Sequence, residues 1–286
     1  MSEKMKNLGV RTVSGLILGV VMLGAIYWSF WSFGALLVVL VVVGMAEFYT
    51  LVEKQGSAPQ RLIGTVSGLV LLALNLYFAY CIAYEEGIVD LGRGPWLKWG
   101  MAFLLLLLPL MLVCELFRRR EHPAADVGVT LLGVIYVALP FSLMSFIPVV
   151  GGTGWQPGVM IAYVFIIWAN DVFAYLVGMT LGRHRLCERL SPKKSWEGFF
   201  GGLIGAVAMG VFAAWLLDAD YGLWAGLALV AAIMGVLGDL TESMFKRAAD
   251  VKDSGRLIPG HGGVLDRFDA MLLSIPFVLV YMLIVM

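Results

Sequence analysis

Hydrophobic positions along this chain of 286 residues come as long, nearly unbroken runs, not as the one-sided stripes of soluble helices. A helix needs ~20 apolar residues to cross ~30 Å of hydrocarbon. Nine runs approach that length, at roughly 12–29, 31–52, 62–84, 97–117, 127–149, 158–181, 198–217, 221–245 and 268–286. They predict an all-α, polytopic membrane protein with about nine transmembrane helices. The first run has the length of a secretory leader, but no small-residue cleavage site clearly follows Trp28 and Trp31, so it is read as a helix.

Composition agrees, since 60% of the residues are hydrophobic and 14% charged, more apolar surface than one soluble core can hide. Lipid is then the missing solvent. Orientation follows from Lys and Arg, which cytoplasmic segments retain. With the N-terminus inside and the C-terminus outside, 18 of the 20 basic residues fall inside, and Arg93 and Lys98 fall outside. An eight-span count breaks that split. The chain shows no fixed-period repeat, low-complexity tract or inverted pair of broken helices. Cys81 and Cys114 lie in apolar runs and Cys187 in a basic loop, a pattern of packing residues without a CxxC metal site.

Two regions are expected. Residues 1–125 read as a transmembrane scaffold; 126–286 read as a catalytic region with cytoplasmic loops 182–197 and 245–269. In the scaffold, Glu115 is placed to pair with Arg118 or Arg119 at a helix end, and Glu47, near the inner end of the second run, to snorkel.

The polar exceptions crowd towards the C-terminus. On the eighth run Asp239, Glu242, Ser243 and Lys246 recur at i, i+3, i+4 and i+7, so two carboxylates, a hydroxyl and an ammonium share one helical face, with Arg247 beside them. The next loop carries Lys252-Asp253-Ser254-Gly255 and His261-Gly262-Gly263, then Asp266-Arg267-Phe268-Asp269 at a helix start. Glycines let backbone N–H groups approach phosphate oxygens, and cations at a helix N-terminus complement their charge. Asp266 and Asp269 each have an ordinary reading as an N-cap; beside Asp239 they also suit Mg²⁺, which takes a few carboxylates plus water and substrate phosphate. A second set comprises Asn170-Asp171 inside the sixth run and the loop Ser191-Pro192-Lys193-Lys194-Ser195-Trp196-Glu197-Gly198. A charged Asp171 at membrane depth points to a site. The basic loop reads either as charge for anionic headgroups or as capture of a substrate phosphate.

The run Ser243-Met244-Phe245-Lys246-Arg247, then Lys252-Asp253, His261-Gly262-Gly263 and Asp266-Arg267-Phe268-Asp269, resembles the C-terminal signature of the phosphatidate cytidylyltransferases, or CDP-diacylglycerol synthases. Asn170-Asp171 with Ala174-Tyr175, and Ser191-Pro192-Lys193-Lys194 with Glu197-Gly198, also resemble family patterns, so the likeness is strong over roughly 165–275. Ala270 stands where many members have Ser, and Ser195 where Thr is common. The resemblance implies cytidylyl transfer from CTP to phosphatidic acid, giving CDP-diacylglycerol and pyrophosphate. It implies Mg²⁺, one ion or two, a homodimer in a bilayer, the bacterial inner membrane with the site on its cytoplasmic face, and no nucleic-acid partner. In that light Asp239 and Asp266 are expected to hold metal, with Asp171 and Asp269 as further ligands. Lys246, Arg247, Lys252, His261 and Arg267 are expected to meet reacting phosphates, and Lys193, Lys194, Ser195, Ser243, Gly262 and Gly263 to bind substrate. Two other readings use the same polar residues: a CTP-dependent lipid kinase and a transporter of an anionic lipid or nucleotide.

Overall fold

Each of the nine apolar runs becomes helix in the computed structural model, which describes residues 3–85, 95–151, 154–255, 257–258, 260 and 262–285. The side chains of residues 3–11, 95 and 96 lie outside that description, as do His261, Arg93 and Arg256. In order the elements are α1 (Glu3–Trp28), α2 (Phe30–Lys54), α3 (Arg61–Tyr84), α4 (Pro95–Leu105), α5 (Leu107–Arg118), α6 (Pro123–Gly133), a π-helical turn (Val134–Ala138), α7 (Leu139–Leu143), a 3-10 turn (Met144–Val149), α8 (Pro157–Leu181), β1 (Arg185–Cys187), β2 (Ser191–Ser195), α9 (Trp196–Leu217), α10 (Tyr221–Ala248) and α11 (Leu265–Val285). Among the described residues seven helices are long and apolar enough to span a membrane, Pro123–Val149 counting as one. The α4–α5 pair makes an eighth if taken as a single bent span, and the apolar helix Thr12–Trp28 is shorter. The all-α polytopic class holds, with one addition unforeseen in the hydropathy: a two-stranded antiparallel sheet of β1 and β2.

The departures from straight helix have local causes. Pro109 removes a donor and crowds the carbonyl four residues back, and α4 and α5 meet at a bend of 56°. Pro140 does the same to the span Pro123–Val149, where the ladder slips to the wider register and Leu139 N–H donates to Val134 O. That slip sets Tyr136 inward, against Phe245 and Phe48.

Glycine sets how closely the site-bearing helices pack. Along α9, Gly198, Gly201, Gly202 and Gly205 face α8; a Cβ would meet Ala174 O at 2.8 Å from Gly198 and Asn170 O at 2.9 Å from Gly202. Such small-residue faces let two backbones approach where no hydrophobic effect drives them together. α8 therefore packs most extensively on α9, and α10 on α11. At Gly238 a side chain would strike the carbonyl of Asp269, so α10 and α11 touch where both carry their carboxylates. The outer surface is apolar, with exposed Trp28, Trp31, Tyr84, Trp99, Trp215 and Tyr221 gathered at one end of the bundle, as interfacial aromatics are.

Candidate active site

The opposite end of the bundle holds the C-terminus of α8, the hairpin, the N-terminus of α9, the C-terminus of α10 and the N-terminus of α11. The hairpin folds the basic loop back over α8: Cys187 pairs with Ser191, Arg185 with Ser195, and Trp196 N–H donates to His184 O at 2.9 Å. Ser195 then caps α9, its Oγ accepting from Gly198 N–H at 3.1 Å. Glu197 holds the other side, accepting from the backbone N–H of Arg183 and His184 and contacting His184 Nδ1 at 2.6 Å. Ser195, expected to bind substrate, is thus engaged as a cap, and it also belongs to the lining of the cavity beside the hairpin.

This fold unites the two polar sets that are separate in sequence. Lys194 Nζ lies 2.7 Å from Asp239 Oδ2, and Ser243 Oγ donates to Asp239 Oδ1 at 3.3 Å. A cavity of about 500 Å³ opens beside the pair, lined by Asp171, Arg185, Lys193, Lys194 and Asp239 and by the apolar surfaces of Tyr175, Met179 and Phe199. A second cavity, of about 250 Å³, is bounded by α1, α8 and α11 and lined by Asp171, Asp266, Arg267 and Asp269. Asp171 borders both. It thus shares one lining with Asp239 and the other with Asp266 and Asp269.

The signature face of α10 is arranged differently. Lys246 Nζ sits between Glu242 Oε2 at 2.5 Å and Asp266 Oδ1 at 2.7 Å, in a setting that leaves the lysine 12% exposed and the carboxylates 1% and 5%. The other oxygen of Asp266 accepts from the backbone N–H groups of Ser254 and Gly263, each at 2.8 Å, and from Ser254 Oγ at 2.9 Å. Gly262 adopts φ +85°, and a side chain there would run into Asp266. Asp266, expected to be a metal ligand, is therefore the acceptor that gathers the glycine loop, while lining the second cavity. Arg247 extends outward to Val251 O at 3.3 Å, Lys252 is exposed on the loop, and neither lines the two cavities. His261 lies outside the described residues.

Several participants go beyond the expected set. Arg185 joins the cavity wall through the β-pairing, which hydropathy cannot register. Buried Asn170 and Glu242 each keep one oxygen, Asn170 Oδ1 and Glu242 Oε1, with no hydrogen-bond partner among the described residues. The expectation that Glu47 snorkels gives way: it is 9% exposed and turned inward onto the loop before α11. Glu115 does pair with Arg118, at 2.7 Å.

With this geometry in place, likeness to known proteins becomes informative. Residues 9–285 match the family model described as the cytidylyltransferase family. A phosphatidate cytidylyltransferase of Synechocystis sp. is 32% identical over 274 residues, 87% of either chain. One from Brucella abortus is 34% identical over 277 residues, covering 93% of this chain and 90% of its own, and one from Staphylococcus aureus is 35% identical over 187 residues, 64% and 70% respectively. A match spanning nearly every helix, together with relatives alike over most of their length, establishes that the chain belongs to the cytidylyltransferase family.

Proposed function

We propose that the chain transfers the cytidylyl group of CTP to phosphatidic acid. A phosphate oxygen of the lipid attacks the α-phosphorus of CTP. The bond from that phosphorus to the α–β bridging oxygen breaks, and its electron pair leaves with pyrophosphate. No general base is needed, because the lipid phosphate is already ionised near neutral pH. The observation that carries this reading is the Lys194–Asp239 pair in the lining of a cavity that combines cationic and apolar side chains. A lipid phosphate has that duality: its charge suits Lys193, Lys194 and Arg185, and its chains suit Tyr175, Met179 and Phe199.

Phosphoryl-group transfer is mainly positioning and charge neutralisation. The donor set fits a divalent cation of the Mg²⁺ type: hard carboxylates line the two adjoining cavities, with Lys194 against Asp239 and Lys246 against Asp266. Among the described residues no three His, Cys, Asp or Glu side chains converge as a closed ligand set. Mg²⁺ needs none, as one or two carboxylates suffice when water and phosphate complete its shell. One or two of the carboxylates Asp239, Asp266, Asp171 and Asp269 would hold such an ion, and it would supply charge neutralisation for the reacting phosphates. Arg267, lining the second cavity with Asp171 and Asp269, would face those phosphates.

The same reading sets the site on the cytoplasmic face of a bacterial inner membrane, N-terminus inside, C-terminus outside, supported by the basic residues of the hairpin and signature loops. It keeps 1–125 as scaffold and 126–286 as the catalytic region, in a homodimer, which the family resemblance supports. Purified protein given labelled CTP, phosphatidic acid and Mg²⁺ tests the activity: CDP-diacylglycerol and pyrophosphate are expected. A phosphorylated lipid with release of CDP would indicate a kinase instead.

A further inference from the structure

The N-terminus of α11 presents backbone N–H groups that no intrahelical carbonyl can satisfy. Its first turn carries Asp266, yet that side chain is committed to Lys246, Ser254 and Gly263. The free donors are met instead by Glu47, a residue of α2 more than two hundred positions earlier. Glu47 Oε1 accepts from Val264 N–H at 3.0 Å, and Oε2 from Leu265 N–H at 2.9 Å. Ser254 Oγ stands 2.9 Å from Asp266 and 3.3 Å from Glu47, so its single proton is shared between the two carboxylates as donor, more closely to Asp266. Gly255 and Gly263 flank Glu47 so closely that a Cβ on either would strike its carboxylate.

A negative charge at a helix N-terminus with two backbone N–H donors is the arrangement that the helix dipole favours. Here it joins two parts of the chain. We infer that Glu47 is a positioning residue: it fixes the start of α11 and the loop folded around Ser254, and through them the side chains of Asp266, Arg267 and Asp269 at the second cavity. The region read as passive scaffold thereby contributes one carboxylate to the order of the site. This rests on the reading that the reaction uses the signature loop. Gln is nearly isosteric but can accept with only one of its two terminal atoms, so its amide would point a donor at one of the N–H groups. Asp keeps the charge and lacks one methylene of reach.

The test uses the full chain in detergent, comparing wild type, Glu47→Gln, Glu47→Asp and Asp239→Asn. Glu47→Gln should lower kcat about tenfold or more, as expected when a charged acceptor of backbone N–H groups is lost. KM for phosphatidic acid should stay within about twofold, because the hairpin cavity is untouched. Amide exchange over 251–265 should rise, with no comparable rise in α8 or α9. Glu47→Asp should fall between wild type and Glu47→Gln in both readouts. Wild-type kcat and exchange in Glu47→Gln, with Asp239→Asn inactive, would overturn the role of Glu47 alone; full activity in Asp239→Asn would sink the assignment of the site itself. A Glu47→Gln protein that does not fold leaves Glu47→Asp to decide. If neither folds, or if exchange rises throughout the bundle, Glu47 is a folding residue and the inference fails.

Discussion

Two lysine–carboxylate pairs stand at the same end of the bundle and are built on opposite principles. Lys246 is enclosed between Glu242 and Asp266 with little solvent. Lys194 meets Asp239 on a cavity wall, where the side chains are 25% and 38% exposed. A buried pair loses heavily when one partner is removed, since the other charge is left without water or counter-ion. An exposed pair is worth only ~0.2–1 kcal/mol. The enclosed lysine is therefore suited to holding the signature helix and the glycine loop in register. The open one can exchange Asp239 for a phosphate at little cost. Motif spacing alone makes the two cations equivalent; burial separates them.

Lys246→Met would strain that comparison most. It leaves Glu242 and Asp266 facing each other without a cation, and should destabilise the fold by ~3–5 kcal/mol. A large fall in melting temperature in detergent, or failure to accumulate in the membrane, is the expected result. If Lys246→Met kept its thermal stability and lost only turnover, Lys246 would act directly on substrate, as the motif alone implies.

Asp239→Asn and Arg267→Ala come next, and should act on catalysis with folded protein retained. Loss of one preorganised charge at a phosphoryl centre costs on the order of 10²-fold in kcat, or ~3 kcal/mol of barrier. Chelation with EDTA should abolish activity and Mg²⁺ restore it. Full turnover in EDTA, or in both variants, would remove the metal-centred reading.

A smaller effect divides the hairpin lysines. The sequence treats Lys193 and Lys194 as one binding loop, but among the described residues only Lys194 of the two reaches a carboxylate. Lys194→Ala should reduce kcat by about tenfold, while Lys193→Ala should chiefly raise KM for phosphatidic acid with kcat little changed. Kinetics in mixed micelles, varying the two substrates independently, distinguish these outcomes. Equal effects in both variants would restore the single-loop picture.

The spans were legible because lipid imposes a length on every apolar run, and the carboxylates because a charge at membrane depth demands a partner. Asp171 and Asp239 both announced themselves in that way. What the runs did not show were contacts between distant segments. Nothing in the spacing of Lys194 points to Asp239, because the β1–β2 hairpin that joins them is too short and polar to stand out. Glu47 looked like a helix-end residue because its partners are backbone N–H groups, which carry no side-chain signature. Ser195 and Asp266 matched a motif whose chemistry is partly architectural, one capping α9 and the other gathering the loop.

Arg247 gives the smallest expected effect and tests whether cavity geometry outranks the motif. It adjoins Lys246 in the signature, and the sequence groups both with the reacting phosphates. Successive helical residues point about 100° apart, however, so Lys246 and Arg247 cannot share a face. Lys246 turns inward between its carboxylates, and Arg247 turns out to Val251 O, 3.3 Å away, in the last turn of α10. There a cation complements the C-terminal end of the helix dipole, worth ~0.3–1 kcal/mol at an exposed position. Arg247→Ala should therefore leave kcat and both KM values within about twofold, with a loss of stability of at most ~1 kcal/mol. Thermal melts and steady-state kinetics on the same preparation measure both. A fall in kcat matching that of Arg267→Ala would mean that the loop from 250 onward closes over bound substrate and brings Arg247 with it, and the exposed arginine would then join the site.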